Sequence, residues 1–308
     1  MPTRRLEVPA DLAGERADKV LAALAGVSRS LARRLLEGGA ATIDGAVVPP
    51  RRVVSAGQVV TVELPGPAPA LEPEVVTFVV RYEDEHLAVV EKPPGVVVHP
   101  GAGRGSGTLA GGILQRWPQV RGVGEESRWG IVHRLDRDTS GLLVVALTGE
   151  AWLALRRAVS RHLVERTYLA LVHGDPLAAS GTIDAPLGRN PRRRGLVQVA
   201  PTGRPARTHY RCLARWPGLR LALLEVTLET GRTHQIRVHL ASIGHPVVAD
   251  PLYGREDGLA PRLFLHATRL RFTHPVTGQA VEVESPLPAD LEAARRRLGE
   301  PAPGGPEA

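Results

Sequence analysis

Ile131-Val132-His133-Arg134-Leu135-Asp136-Arg137-Asp138-Thr139-Ser140-Gly141-Leu142-Leu143 is the stretch on which the reading of this chain turns. Its last residues open an apolar run, residues 142–147, that reads as a buried strand. The residues before it form a polar loop with two carboxylates, Asp136 and Asp138, among two arginines, Arg134 and Arg137. A loop held by a rigid strand is where reactive groups tend to sit. A carboxylate beside guanidiniums is expected to keep its charge, ready to act as nucleophile or base. The same residues also admit a purely structural reading, in which both carboxylates only pair with Arg134 and Arg137. Residues two apart in an extended chain point to opposite faces. Asp136 and Asp138 are therefore poorly placed to work as a pair on one glycosidic bond, as a carboxylate hydrolase requires.

Outward from this run, residues 75–80, 87–90, 168–172, 221–228 and 236–240 read as further strands separated by turns. Residues 150–161 read as a helix burying Trp152, Leu155 and Val159 at helical spacing, and residues 291–298 as a last helix. Strands outnumber helices without regular βαβ alternation. The expected class is α+β, with a mixed or antiparallel central sheet flanked by helices and loops. Near the amino end, residues 16–25 read as a helix ending at Gly26. Ser28 or Ser30 caps a second helix, with Leu31 and Leu35 on one face and Arg29 and Arg33 on another. Gly38-Gly39 stops it, residues 41–48 read as a hairpin around Asp44-Gly45, and residues 59–64 close the unit as a strand. The expected division is a small α+β domain over 1–64, a proline-rich linker over 65–74, a large domain over 75–298, and a disordered tail over 299–308.

The chain of 308 residues carries a formal charge of +7, almost all of the basic side being arginine, since Lys19 and Lys92 are the only lysines. Residues 185–224 hold nine arginines (Arg189, Arg192, Arg193, Arg194, Arg204, Arg207, Arg211, Arg215, Arg220) and no Asp or Glu, which leaves the rest slightly acidic. Such a one-signed field is the footprint of a polyanion partner. The segment has no amphipathic helical stripe, so a membrane surface is disfavoured. Cys212 is alone, which excludes an intramolecular disulfide and a cysteine-based zinc site. No apolar signal stretch or spanning run is read, and a soluble, cytoplasmic, monomeric protein is expected. His234 and His239 lie five apart in what reads as a strand, so they face opposite sides. No HExxH pattern accompanies them or His133 and His99, and hydrogen-bonding roles are expected rather than a metal site. Thr139-Ser140-Gly141 lacks the glycine two residues before the serine that a nucleophile elbow needs.

The run from Ile131 to Leu143 resembles, almost residue for residue, the catalytic-aspartate motif of the RluA-type pseudouridine synthases, which isomerise uridine in RNA. Glu91-Lys92-Pro93-Pro94-Gly95-Val96-Val97-Val98-His99-Pro100 resembles that family's lysine-proline-glycine segment, and Arg166-Thr167-Tyr168-Leu169-Ala170-Leu171-Val172 its tyrosine motif. Thr230-Gly231-Arg232-Thr233-His234-Gln235-Ile236-Arg237-Val238-His239-Leu240 resembles its arginine motif. His245-Pro246, Asp250-Pro251-Leu252-Tyr253-Gly254 and Leu265-His266-Ala267 follow in the family's order. The resemblance runs from Tyr82 to about Gly278. His99-Pro100-Gly101-Ala102-Gly103 with Gly107-Thr108-Leu109 leans toward the RluD-like rRNA enzymes. Leu147, where relatives carry a basic residue, and Gly111-Gly112, in place of bulkier residues, are departures that leave the RNA target open.

The resemblance implies the pseudouridine synthase fold and a reaction that breaks the N1 to C1′ bond, turns the base and rejoins it through C5. No redox or group transfer occurs, so neither cofactor nor metal is implied. Asp136 is implied as the essential nucleophile or base, whether it adds to the sugar, attacks the base or removes a ribose proton. Arg232 is expected to hold Asp136 through a charge-assisted pair, a phosphate contact being the alternative. Tyr168 is expected to lie against the flipped uracil and to relay the C5 proton. Arg134, Arg189, Arg192, Arg193 and Arg204 are candidates for gripping phosphates. The first domain resembles the small S4-like RNA-binding domain, with Arg29, Arg33 and Arg34 facing a second RNA helix. The implied substrate is large-subunit rRNA, free or in a pre-ribosomal particle. The alternatives are a synthase acting on tRNA, a non-catalytic RNA-binding or assembly factor, and the carboxylate hydrolase already disfavoured.

Overall fold

The structure is a computed structural model that describes residues 3–64, 71–100, 106–125, 128–174, 178–193 and 195–302. The chain divides after residue 70 into two units, each with its own core. In the first unit β1 (Thr3–Glu7), α1 (Ala17–Ala25), α2 (Arg29–Glu37), β2 (Ala41–Ile43) and β3 (Val59–Glu63) follow in order. The Ser28 side chain accepts a hydrogen bond from the Leu31 N–H and starts α2. Val20, Leu21, Ala32 and Leu36 pack with Ala41, Ile43, Val60 and Val62 over an antiparallel sheet of order β1-β3-β2. The expected hairpin over 41–48 is reduced to its turn. Asp44 and Gly45 both have positive φ (50° and 79°), but the returning arm makes a single bridge, Ile43 to Ala46. Pro49 and Pro50 bring no N–H to a ladder, and β2 pairs with β3 instead. The Asp44 carboxylate fixes that choice by accepting from the Val59 N–H at 2.8 Å and from Gln58 Nε2 at 2.8 Å. The core of the expected linker, residues 65–70, lies outside the described residues.

The second unit runs β4 (Val79–Glu83), β5 (Leu87–Lys92), α3 (Leu109–Arg116), β6 (Ser140–Ala146), α4 (Gly149–Ser160), β7 (Glu165–His173), β8 (Ser180–Asp184), β9 (Leu187–Arg189), β10 (Val197–Val199), β11 (Arg207–Trp216), β12 (Leu221–Leu228), α5 (Gln235–Ser242), β13 (Leu265–Thr273), β14 (Ala280–Glu284) and α6 (Ala289–Arg297). The main sheet has the order β4-β5-β6-β13-β7-β12-β11-β8, with β14 added on β13, while β9 and β10 form a separate ribbon. Every pairing in the main sheet is antiparallel except β6 with β13, which run parallel through Ser140–His266 and Gly141–Ala267. Successive side chains of a strand face opposite sides, and both sides of the sheet centre are covered. Ala88, Val90, Leu143 and Val145 pack with Leu109, Ile113 and Leu114 of α3. Leu87, Val89, Leu142 and Val144 pack with Trp152 and Leu155 of α4. This is the α+β arrangement expected.

Three expectations change in this unit. The strand expected from residue 75 starts at Val79, because residues 74–78 run against α3 instead. The Glu74 carboxylate accepts from the Gly107 and Thr108 N–H groups, and a Cβ at Gly112 would lie 2.9 Å from Val76 Cβ. Gly111-Gly112 therefore clears the path of this crossing. Residues 236–240, expected as a strand, form the body of α5. Of the expected disordered tail, residues 299–302 are tied down, with Trp216 Nε1 donating to Gly299 O at 2.9 Å and Ala302 N to Arg215 O at 2.8 Å. Residues 303–308 lie outside the described residues. No helix among the described residues is long and apolar enough to cross a membrane.

Candidate active site

The loop of residues 133–139 is anchored at both ends before it offers any side chain. At its start, the buried His133 ring accepts the Val144 N–H through Nε2 at 3.1 Å, so Nδ1 carries the hydrogen. Burial first, with Arg166 adding to it, pushes His133 down to about 3 and keeps the imidazole neutral. At its end, the Arg137 carbonyl accepts from Lys92 Nζ (2.9 Å) and from the Gly95 N–H (2.9 Å). Lys92 is wholly buried and spends its other two hydrogens on the Pro93 and Val96 carbonyls at 2.7 and 2.9 Å. Beyond the loop, Gly141 sits against β13 where a Cβ would lie 2.3 Å from Ala267 O, so only glycine fits at its φ of 118°. Rigid elements thus hold Asp136 on a short loop, as a reactive group requires.

Asp136 opens into a cavity of about 520 Å³ that is also lined by Tyr168, Arg232, Arg134, Arg166 and Arg237. That volume suits a small-molecule-sized group such as a nucleoside. Asp138 faces away, pairing with Arg137 at 2.9 Å and lining a second cavity that holds neither Asp136 nor Tyr168. Tyr168 is buried on β7, and burial raises its hydroxyl above the usual tyrosine range, with Arg166 opposing and Asp136 reinforcing that rise. The phenol therefore holds its proton.

The partner of Asp136 is not the arginine expected from sequence. Arg232 donates through Nε to the Pro205 carbonyl at 3.1 Å, and its own N–H goes to Gln235 Oε1. Arg237, in α5, reaches Asp136 with Nη1 at 3.3 Å. Its Nε and Nη2 make a two-pronged pair with Asp250 at 2.8 and 2.7 Å, and Asp250 is fully buried. Asp250 Oδ1 also accepts the Leu252 and Tyr253 N–H groups. Burial would raise the Asp250 carboxyl, but Arg237 and these amides outweigh it and hold it below the ordinary range. The Tyr253 ring lies under the Arg237 guanidinium at 5.3 Å, and its hydroxyl bonds His234 Nδ1 and the Val197 N–H. Arg237, Asp250 and Tyr253 all lie in the motifs from Thr230 to Leu240 and Asp250 to Gly254, but a strand over 236–240 would not bring them together, and the helix α5 does. In a helix, Arg237 turns toward the loop while Gln235 and His239 bond inward to Thr208. His234 and His239 are thus hydrogen-bonding groups.

The remaining candidates are dispersed. Arg134 is exposed at the cavity. Arg189, Arg192, Arg193 and Arg204 are exposed on and beside the β9–β10 ribbon, whereas Arg207 and Arg211 are taken up by Asp184 and Glu225. Arg194 lies outside the described residues. In the first unit Arg29 pairs with Asp18 and Arg33 with Glu37, while Arg34 is exposed.

Comparison with known proteins bears on what this cavity serves. The sequence profile of the family described as RNA pseudouridylate synthase matches residues 86–242. A Nitrosomonas europaea protein named ribosomal large subunit pseudouridine synthase D is 44% identical, the match covering 94% of this chain and 86% of that protein. A Chloroflexus aurantiacus protein named an uncharacterized RNA pseudouridine synthase is 46% identical, covering 96% and 93% of the two chains. The solved structure of human RNA pseudouridylate synthase domain containing 1 is similar with a TM-score of 0.56 at 27% identity, covering 79% of this chain and 100% of that one. Matched by the profile over half its length and by these relatives over nearly all of it, this chain belongs to the RNA pseudouridylate synthase family, as an RluA-type isomerase of uridine in RNA.

Proposed function

We propose that Asp136 carries the isomerisation, acting on a uridine flipped into the cavity it shares with Tyr168, and that the substrate is large-subunit rRNA. The observation that supports this most directly is the Asp250–Arg237–Asp136 chain of ion pairs, which aims one fixed carboxylate into a nucleoside-sized, arginine-lined cavity. A base must leave its stack to enter such a site. Addition to the sugar, attack on the base and removal of a ribose proton all need the same oriented Asp136 oxygen. Tyr168 packs against the uracil and relays the C5 hydrogen, its Oη releasing its own proton to Asp136 or to water as it takes up the one from C5. Arg134 and Arg232 contact the RNA around the flipped nucleotide. The rRNA assignment is supported by the names of the relatives, which describe ribosomal large subunit synthases. The amino-terminal unit, with its exposed Arg34 beside Arg29 and Arg33, is read as an S4-like RNA-binding domain that adds affinity.

Mapping pseudouridine by carbodiimide-dependent reverse-transcription stops, in RNA from wild-type and deletion cells, tests the substrate. Loss of a stop in 23S rRNA on deletion is expected, and a lost stop only in tRNA would overturn the rRNA assignment. Asp136→Asn keeps the shape and removes the charge, so RNA should still bind while turnover stops. Asp138→Asn should keep substantial activity, because it faces the other cavity. Turnover well above background in purified Asp136→Asn would move the chemistry to another group.

A further inference from the structure

Arg166 presents a charge that the fold leaves unanswered. Its residue is 5% exposed, and its Nε has no hydrogen-bond partner among the described residues. No carboxylate among them pairs with its guanidinium. Arg237, buried to the same degree, is held by both Asp250 and Asp136. A buried cation is costly unless it is paired and hydrogen-bonded, so the retention of Arg166 without a partner calls for an anion that arrives from outside. The fold keeps room for the group as well. A Cβ at Gly231 would lie 2.7 Å from Arg166 Nη1, so glycine there opens the wall around the guanidinium head. Arg166 and Tyr168 are two apart on β7 and therefore face the same side, roughly 7 Å apart along the strand. Both line the cavity of Asp136, where Arg128, Arg134 and Arg232 add positive charge and Asp136 is the single carboxylate of the lining.

We propose that Arg166 is a phosphate subsite, gripping a backbone phosphate next to the uridine that stacks on Tyr168. The inference rests on reading this cavity as the uridine pocket. A phosphate supplies what the site lacks, a charge for the guanidinium and acceptors for its hydrogens. A neutral uracil carbonyl would leave the buried charge uncompensated.

The test uses the full-length enzyme and a synthetic RNA segment carrying the uridine mapped by the carbodiimide experiment, ligated into its surrounding rRNA. Flanking phosphates are replaced one at a time by methylphosphonate, which removes the charge with little change of shape. Turnover is read as tritium release from 5-tritiated uridine. Wild-type turnover of the unmodified segment, lost in Asp136→Asn, checks the pocket reading first, so later failures belong to Arg166 alone. One particular methylphosphonate should lower wild-type kcat/KM by about 10- to 100-fold. Arg166→Gln should lose as much on natural RNA, and the two changes together no more than either. Arg166→Lys should recover part of the loss. Three results would overturn the proposal: indifference of the wild type to every neutralised phosphate, additive losses at all of them in Arg166→Gln, or a loss seen only as a displaced pH profile, which would tie Arg166 to the Tyr168 hydroxyl. The wild-type scan needs no variant to fold.

Discussion

Arg237 holds two carboxylates with one guanidinium, and only one of them opens into the cavity. Asp250 is buried and occupies two of its donors, which leaves Nη1 aimed at Asp136. Arg237→Gln is expected to strand Asp250 as an unpaired buried charge and to destabilise the enzyme by about 3–5 kcal/mol. Turnover should fall at saturating RNA, and denaturant melts beside single-turnover kinetics would show both. Arg232→Ala should behave differently, with stability within about 0.5 kcal/mol of wild type, weaker RNA binding, and a salt slope of log K flatter by roughly 0.7 to 0.9. A loss of turnover with unchanged affinity in Arg232→Ala would restore Arg232 as the partner of Asp136. The neutral His133 makes a separate prediction about acid. Its folded value, about 3, lies below its ordinary 6.5, so the unfolded chain takes up the proton first as pH falls. Stability is therefore complete above pH 6.5 and declines below it, by on the order of 1 kcal/mol per pH unit for this one group. His133→Gln, which can still accept the Val144 N–H, should flatten the dependence of the urea midpoint on pH, and an unchanged slope would place the acid sensitivity elsewhere.

At the scale of elements, β5 ends in a buried lysine that fastens the loop carrying Asp136, which is a tether rather than a surface charge. Lys92→Met removes donors from the Pro93, Val96 and Arg137 carbonyls and should cost about 3 kcal/mol or more. Faster hydrogen exchange at the Gly95 amide, which also bonds Arg137 O, is the local sign to measure, and an unchanged rate would mean the loop stands without the tether. The strands β6, β7 and β12 were legible because their apolar runs are bounded by turn residues. α4 was legible because one of its faces repeats at helical spacing. α5 was not, since residues 235–240 are buried without exception and the hydrophobic stripe that marks a surface helix vanishes. Polar Gln235, Arg237 and His239 alternate there with Ile236, Val238 and Leu240, which imitates a strand. β13 escaped for the opposite reason: His266, Arg269 and Arg271 break its apolar pattern, although the strand sits mid-sheet. Asp136 and Tyr168 could be picked out from motifs, but the identity of the arginine beside Asp136 depended on whether 236–240 wound or extended.

For the whole molecule, residues 1–70 form a unit with its own core. A protein lacking residues 1–70 should fold and isomerise uridine in a minimal stem-loop, while its affinity for long rRNA drops. Losing two or three phosphate contacts through Arg29, Arg33 and Arg34 should flatten the salt slope by about two units. Equal slopes for full-length and truncated protein on the long fragment would remove the RNA-binding role from this unit. The parallel junction of β6 with β13 has a further consequence, for the order of assembly. The Ser140–His266 bond joins residues 126 apart in the chain, and the loop carrying Asp136 ends at that seam. Contacts so distant in sequence form late, and chains grow from the amino end. A nascent chain that has already exposed Asp136 and Tyr168 therefore still lacks β13, which pairs Ala267 with Tyr168 and brings Leu265 to the cavity wall, so the cavity is completed only once that strand has left the ribosome.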